Sequence, residues 1–266
     1  MNNLIIKNKN NRILATLEEW EKGFIEVKGN NNIHWKDGKS AFSLGKFFTS
    51  ENGLKWLNKL IYELFGETMN YEDAEIEHES KLDSYRGGQR MQDLAIWGSI
   101  HKEKVFIAIE AKVLESFGKS YVKEEYENAI KIRNNKPNSK QADRIEEIVN
   151  FLFPGKKPYD QPVCNLRYQL MHYFTASIRE GVTLEESKRP FKERKNSLST
   201  IVLPILVFKT QHYCKNEGDK NKNDYINFVS QLRFEELKQI HDHRMIYYKK
   251  INECDVYTIY EEIDLL

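Results

Sequence analysis

The sequence predicts an α/β fold, with a central mixed β-sheet flanked by helices on both faces. Three observations predict it. The apolar runs at 105–113 (VFIAIEAKV) and 201–208 (IVLPILVF) are continuous rather than alternating, as strands buried on both faces are. Segments 51–65 and 141–153 repeat their apolar residues at helical spacing, so each packs one stripe against a partner. Strand-like and helix-like segments alternate along the chain, the order of a layered α/β domain.

Taken in order, a short helix is expected within 13–27. Ser40 is the expected N-cap of a helix carrying Phe42, Leu44, Phe47 and Phe48. His34, Trp35 and Ser40 have packing or capping roles and no evident chemistry. The next helix, 51–65, places Trp56, Leu57, Leu60, Ile61 and Leu64 on one stripe, with Glu63 and Glu67 one turn apart on another face. From Ala74 the period becomes two: Ile76 and His78 alternate with Glu75, Glu77 and Glu79, a half-exposed strand. Residues 84–89 (SYRGGQ) are a turn with paired glycines, 91–96 a strand, 98–104 a hairpin connection and 105–113 the buried strand. Helices follow over 121–132, 141–153 and 165–179. Pro204 inside 201–208 points to a bulge or an edge position. Residues 215–224 are a polar loop, 225–237 is a helix, and 245–249 with 256–260 form a last strand pair. The 266 residues are read as one domain, 1–266. Its N-terminal part, about 1–70, is helical, and loop insertions fall at about 119–140 and 182–198.

Composition excludes several classes. Hydrophobic residues make up 40% and charged residues 30% of the chain, which fits a soluble globular protein rather than a disordered one. No apolar run approaches the ~18 residues that a membrane span needs, and the apolar patch Leu4–Ile6 is too short for a secretory signal. The three cysteines, Cys164, Cys214 and Cys254, are scattered and odd in number. They form no disulfide or zinc pattern and are expected as buried or half-buried free thiols in a reducing cytoplasm. The net charge of +1 gives no global field toward nucleic acid. Any such contact must come from local basic stretches at 131–140, 156–157 and 188–195.

The chemistry lies at 89–118. Side chains two apart on a strand share a face, so Glu110 and Lys112 point one way while Ile107, Ile109, Ala111 and Val113 point the other. Asp93, on the neighbouring strand, stands beside Glu110 if the two strands pair as a hairpin. Two close carboxylates raise each other's pKa unless a cation neutralises them. A hard divalent cation such as Mg²⁺ does so, keeps waters and binds phosphate. A lysine beside it completes a hydrolytic centre for a phosphodiester. A plain salt bridge also explains the spacing, but burying such a trio costs several kcal/mol per ion unless compensated.

Asp93 followed by Glu110-Ala111-Lys112 within IAIEAK resembles the loose signature of the PD-(D/E)XK nuclease superfamily, the restriction-endonuclease-like fold. The order of HWKDGKSAFSLGKFF, GGQRMQDLAIW, IEAKVLESFG and LRYQLMHYFTAS over roughly 33–210 further resembles an uncharacterised bacterial family within it. The resemblance implies a metal-dependent endonuclease that hydrolyses DNA, a restriction or phage-defence effector. Mg²⁺ is the implied cofactor and Mn²⁺ a substitute. The implied partners are DNA, a second copy of the chain or other defence-system proteins. A nuclease fold that has lost catalysis and only binds nucleic acid is the alternative. Asp93 and Glu110 become metal ligands and Lys112 the catalytic lysine. The upstream acid that many relatives add is open here among Glu63, Glu67 and Glu77, and Glu115 is a further strand-end acid. Gln169 and Tyr173 resemble the Q-h-x-x-Y motif of the RecB-like branch and share one helix face. By that resemblance Gln169 contacts a metal-bound water or the substrate, and Tyr173 and Arg167 contact DNA backbone. His172 between them reads as a packed histidine. Arg86 and Arg90 flank the Asp93 strand, where a guanidinium can hold phosphate bidentately.

Overall fold

The apolar runs assemble into an eight-stranded sheet in this computed structural model, which describes residues 4–29, 35–113, 115–181, 198, 200–237, 244–251 and 253–265. The strands are β1 (Ile6–Lys7), β2 (Asn70–Ser80), β3 (Arg90–Ile100), β4 (Glu103–Lys112), β5 (Thr200–Lys209), β6 (Glu235–Glu236), β7 (Arg244–Ile251) and β8 (Cys254–Asp264), in the spatial order β1-β2-β3-β4-β5-β8-β7-β6. The sheet is mixed. β2, β3 and β4 form an antiparallel meander, β4, β5 and β8 run parallel, and β7 returns antiparallel on β8.

Helices cover both faces. α1 (Leu17–Lys28), α2 (Ser40–Phe48) and α3 (Glu51–Phe65) pack Trp20, Phe24, Phe47, Trp56, Leu57 and Leu60 onto one face, over Leu94, Ile96, Ile107, Ile109 and Ala111. α4 (Val122–Asn135), α5 (Gln141–Leu152), α6 (Tyr168–Glu180) and α7 (Lys215–Gln231) cover the other, over Ala95, Trp97, Phe106 and Ala108. The even and odd residues of β4 therefore serve two separate cores, which is why its sequence is apolar throughout. Local signals set the helix ends. Thr16 and Glu19 form a reciprocal capping box at α1, and Gly66, with φ 70°, ends α3 in the left-handed region that glycine enters freely. Among the described residues no helix is long and apolar enough to cross a membrane.

Several expectations are corrected. Residues 119–140 are not a loop insertion: most of them form α4, whose Val122, Tyr126 and Ala129 are buried in the core. The 182–198 insertion lies outside the described residues except Leu198, which is buried, and the basic stretch 188–195 also falls outside them. The polar stretch 215–224 opens α7, because Tyr225, Phe228 and Val229 anchor the helix, Asn221 is buried, and Lys215, Asn216, Asp219, Lys220, Lys222 and Asn223 face solvent. The helix ends at Gln231, so the expected extension to 237 gives way to the short β6. Ser40 is the first helical residue and Lys39 is the N-cap. The 98–104 connection shrinks, since β3 runs to Ile100 and β4 starts at Glu103. Trp35 packs against Phe24 and Phe42, and His34 lies outside the described residues. Cys164 and Cys254 are buried free thiols, but Cys214 is exposed.

Pro204 is neither at an edge nor in a bulge of β5; it sits in the sheet centre, opposite Ile259 of β8. The missing amide appears instead as a gap on the β4 side. There the parallel ladder runs to Ile107↔Val202 and resumes at Glu110↔Ile205, skipping the positions opposite Leu203 and Pro204. In a parallel ladder Pro204 would have donated to the carbonyl of Ala108. The hydroxyl of Tyr173 donates there instead, at 2.6 Å, and lies 3.3 Å from the Pro204 carbonyl.

Candidate active site

The sheet forks at Asp93. The β3–β4 ladder ends with Leu94↔Ile109, yet β2–β3 pairing continues to Ser80↔Arg90 and β4–β5 pairing continues to Lys112↔Val207. One step past the last β3–β4 pair stand Asp93 and Glu110. Asp93 Oδ2 accepts from the Ala111 amide at 2.7 Å, where β3 no longer supplies a ladder partner. Glu110 and Lys112 both point toward α6, since Ile109, Ala111 and Val113 fill the opposite core. Glu110 is 2% exposed and Lys112 5%, so both charges are withdrawn from water.

The cations are shared unevenly. Glu110 Oε1 accepts from Lys112 Nζ at 2.7 Å and from Gln169 Nε2 at 3.3 Å, while its Oε2 takes a guanidinium nitrogen of Arg90. Among the described residues Asp93 makes no salt bridge. Burial, then the charges of Glu110 and Glu77, push the Asp93 carboxyl up to about 8, against Lys112 and Arg90. Burial also works to raise Glu110, but Arg90 and Lys112 override it and hold that carboxyl well below the ordinary range. Adjacent carboxylates pushed in opposite directions are a mark of acid–base and metal sites.

The structure brings some of the expected residues together and not others. Of the three upstream acids, Glu77 alone comes within electrostatic reach of Asp93 and Glu110. It is buried, its backbone takes a left-handed φ of 50°, and Lys28 of α1 holds its carboxylate at 2.6 Å. The expected alternation of β2 therefore breaks at this residue. Glu63 pairs with Arg244, and Glu67 stands 3.3 Å from His101 at the β3–β4 turn, so neither joins the fork. Glu115 is half-buried just past β4, its Oε2 accepting from the Val113 amide at 3.4 Å. Gln169 reaches the site through Glu110. Tyr173 does not face solvent: it is 1% exposed and bonded to the sheet as described. Arg167 is likewise committed, with Nε 2.7 Å from Asp224 Oδ2, Nη1 3.3 Å from the Lys119 carbonyl, and its guanidinium 4.1 Å over the Tyr121 ring. Both side chains thus make structural contacts within the fold. Arg90 lies inside the fork on Glu110, whereas Arg86 is exposed on the 84–89 turn. His172 is stacked on Tyr168 with rings 5.6 Å apart, and burial drives its pKa down to about 3.

The donor set suits a hard divalent cation in kind, since Asp93 and Glu110 offer only oxygen. Among the described residues no three of His, Cys, Asp and Glu stand together as a ready ligand set. Mg²⁺ typically takes one or two carboxylates and completes its shell with water and phosphate.

Sequence reasoning missed three supports. Lys28 holds Glu77 from the opposite helical layer, and no local pattern announces it. Gln92, fully buried, ties β3 to Ser80 and to Ser177 of α6. Arg144 binds Asp83 through Nε at 2.5 Å and Nη2 at 3.0 Å. Arg144 had a signal: it lies one turn before Ile148, a charge on the apolar stripe of α5.

No curated protein and no solved structure matches the chain. A family model described as a domain of unknown function (DUF6946) matches residues 14–265, a span that holds the fork, both helical layers and the closing β7–β8 pair, and the chain belongs to that family.

Proposed function

We propose that the chain is a metal-dependent endonuclease that hydrolyses DNA phosphodiester bonds, built on a restriction-endonuclease-like core and serving as a restriction or phage-defence effector. The observation that carries this reading is the fork. There Asp93 and Glu110 stand side by side where two strands part, and Lys112 shares the face of Glu110. When bound, Mg²⁺ or Mn²⁺ supplies neutralisation of the paired carboxylates and an activated water. Asp93 and Glu110 would hold it, with Glu77 behind them. Lys112 offsets the negative charge that grows on the phosphate during attack. Gln169 orients Glu110 through its 3.3 Å contact. Arg90, a neighbour of the reacting centre, exchanges its hold on Glu110 for a phosphate oxygen, to which a guanidinium binds well.

The test is cleavage of plasmid, linear DNA and RNA by the purified chain, with Mg²⁺ or Mn²⁺ and with chelator. Lys112→Ala and Asp93→Ala should abolish cleavage while melting cooperatively. Equal activity in the wild type and both variants sinks the assignment. A second reading, a nuclease fold that binds nucleic acid without cutting it, is favoured by one observation: Arg90 and Lys112 already take both oxygens of Glu110. Under that reading DNA binds, and no divalent cation elicits cleavage or raises the melting temperature.

A further inference from the structure

Beside the fork lies a second concavity of about 540 Å³, walled by the Arg86-Gly87-Gly88 turn, the start of α5 and the Tyr168–His172 pair of α6. It shares two elements with the fork. Arg90, two residues after Gly88, reaches Glu110, and Gln169, next to Tyr168, does the same. Its lining carries three cations: Arg86 is exposed, Lys140 is at the rim with Nζ 2.9 Å from Asp143, and Arg144 is in the wall on Asp83.

Two features suit this concavity to an anion. Arg144 is only 7% exposed, and Asp83 and the Gly87 carbonyl take its Nε and Nη2. Those two atoms make every hydrogen bond its guanidinium forms among the described residues. The remaining Nη1 lies against Gly88, where an added Cβ would collide with it. Gly88 has φ 63°, so both space and backbone favour glycine there, and the lack of a side chain leaves Nη1 open. Next, α5 begins in the same wall, and Lys140 at its N-cap makes no side-chain cap bond, so the first amides of a twelve-residue helix lack that partner.

We propose that this concavity is a phosphate subsite, holding the phosphate of a neighbouring nucleotide on the strand whose bond is cut at the fork. The proposal rests on the nuclease reading for the identity of the ligand, and on the lining alone for its phosphate chemistry. Arg144 Nη1 and the first α5 amides grip the phosphate, while Arg86 and Lys140 steer the strand in.

The test uses the full chain carrying Lys112→Ala, in chelator, with a fluorescein-labelled single-stranded DNA followed by anisotropy, and inorganic phosphate followed by calorimetry. Two changes are added to it separately: Arg144→Lys, which keeps a cation for Asp83 and removes Nη1, and the exposed pair Arg86→Ala with Lys140→Ala. Each is expected to weaken DNA binding by roughly tenfold or more. The pair should also flatten the salt dependence by about 0.7 per lost contact. Unchanged affinity in both variants, with melting temperatures preserved, overturns the subsite even if the wild type cuts DNA. If DNA does not bind but inorganic phosphate does, and Arg144→Lys abolishes it, the anion site stands and the nuclease reading falls. Binding of neither probe overturns the subsite.

Discussion

Tyr173→Phe removes one oxygen and tests whether the Gln169–Tyr173 pair is read correctly here. The hydroxyl donates to the Ala108 carbonyl at 2.6 Å, the acceptor that Pro204 cannot serve. Phenylalanine keeps the ring and leaves that buried carbonyl unsatisfied, which costs about 1–3 kcal/mol. For a chain of this size that is roughly 2–4 °C of melting temperature per kcal/mol. Pro204→Ala in the same background returns an amide at the position facing Ala108. Against its gain stands a loss of about 0.4–1 kcal/mol, because alanine loosens the unfolded chain. The double variant is therefore expected to recover about half of the loss, and a double-mutant cycle should give a coupling of about 1–2 kcal/mol. Urea unfolding of the wild type, both single variants and the double variant measures it. If the proposed nuclease activity holds, folded Tyr173→Phe should match the wild type in DNA cleavage, since the hydroxyl points into the sheet. Additive effects within about 0.5 kcal/mol, or loss of cleavage at unchanged stability, would refute the structural role.

Other outcomes follow from the ion pairs. Burial works to lower the pKa of His78, but Glu180 at 3.0 Å and Glu75 at 3.3 Å raise it to about 9. This is above the unfolded value of about 6.5, so its stabilisation is complete below that pH and is lost as pH rises through about 9; His78→Gln should flatten that part of the melting-temperature profile. Arg167→Ala leaves the half-buried Asp224 without its cation and should cost about 1.5–3 kcal/mol, seen as a lower melting temperature. Asp93 titrates in the folded chain above its unfolded value, so the folded state is increasingly disfavoured as pH rises from the ordinary carboxylate range through about 8. Asp93→Asn should therefore melt above the wild type at about pH 9 in chelator and converge on it in acid. Added Mg²⁺ should raise the melting temperature of the wild type only.

Much of the frame was legible because its signals are local. The unbroken apolar run of β4 and the stripe of α3 each state their own burial, and the structure bounds α3 at Glu51–Phe65. What failed depended on distant partners. Pro204 reads as an edge residue until Tyr173, 31 residues earlier, replaces its amide. The start of α7 reads as a loop because Asn221, fully buried, packs through a bond to the Glu115 carbonyl rather than through apolar area. At the candidate site, strand parity placed Glu110 and Lys112 on one face. No periodicity could choose among Glu63, Glu67 and Glu77, because that choice is set by which helix layer and which sheet end each one meets.

The distribution of charge in the fork separates it from two other ion pairs withdrawn from water. Arg144 with Asp83 and Arg167 with Asp224 match one guanidinium to one carboxylate, as a structural pair does. The fork holds Glu77, Asp93 and Glu110 against Lys28, Arg90 and Lys112, so its formal charges balance. A network built for stability would give each acid a cation. Here Glu110 takes two, Glu77 takes one and Asp93 is left with a backbone amide. Placing that carboxylate next to Glu110 costs free energy in the folded state, as the upward shift of its pKa records. An apolar or amide side chain at position 93 would avoid the cost; the proposed metal site accounts for a carboxylate there, one that holds a proton below about pH 8 and would take a divalent cation above it.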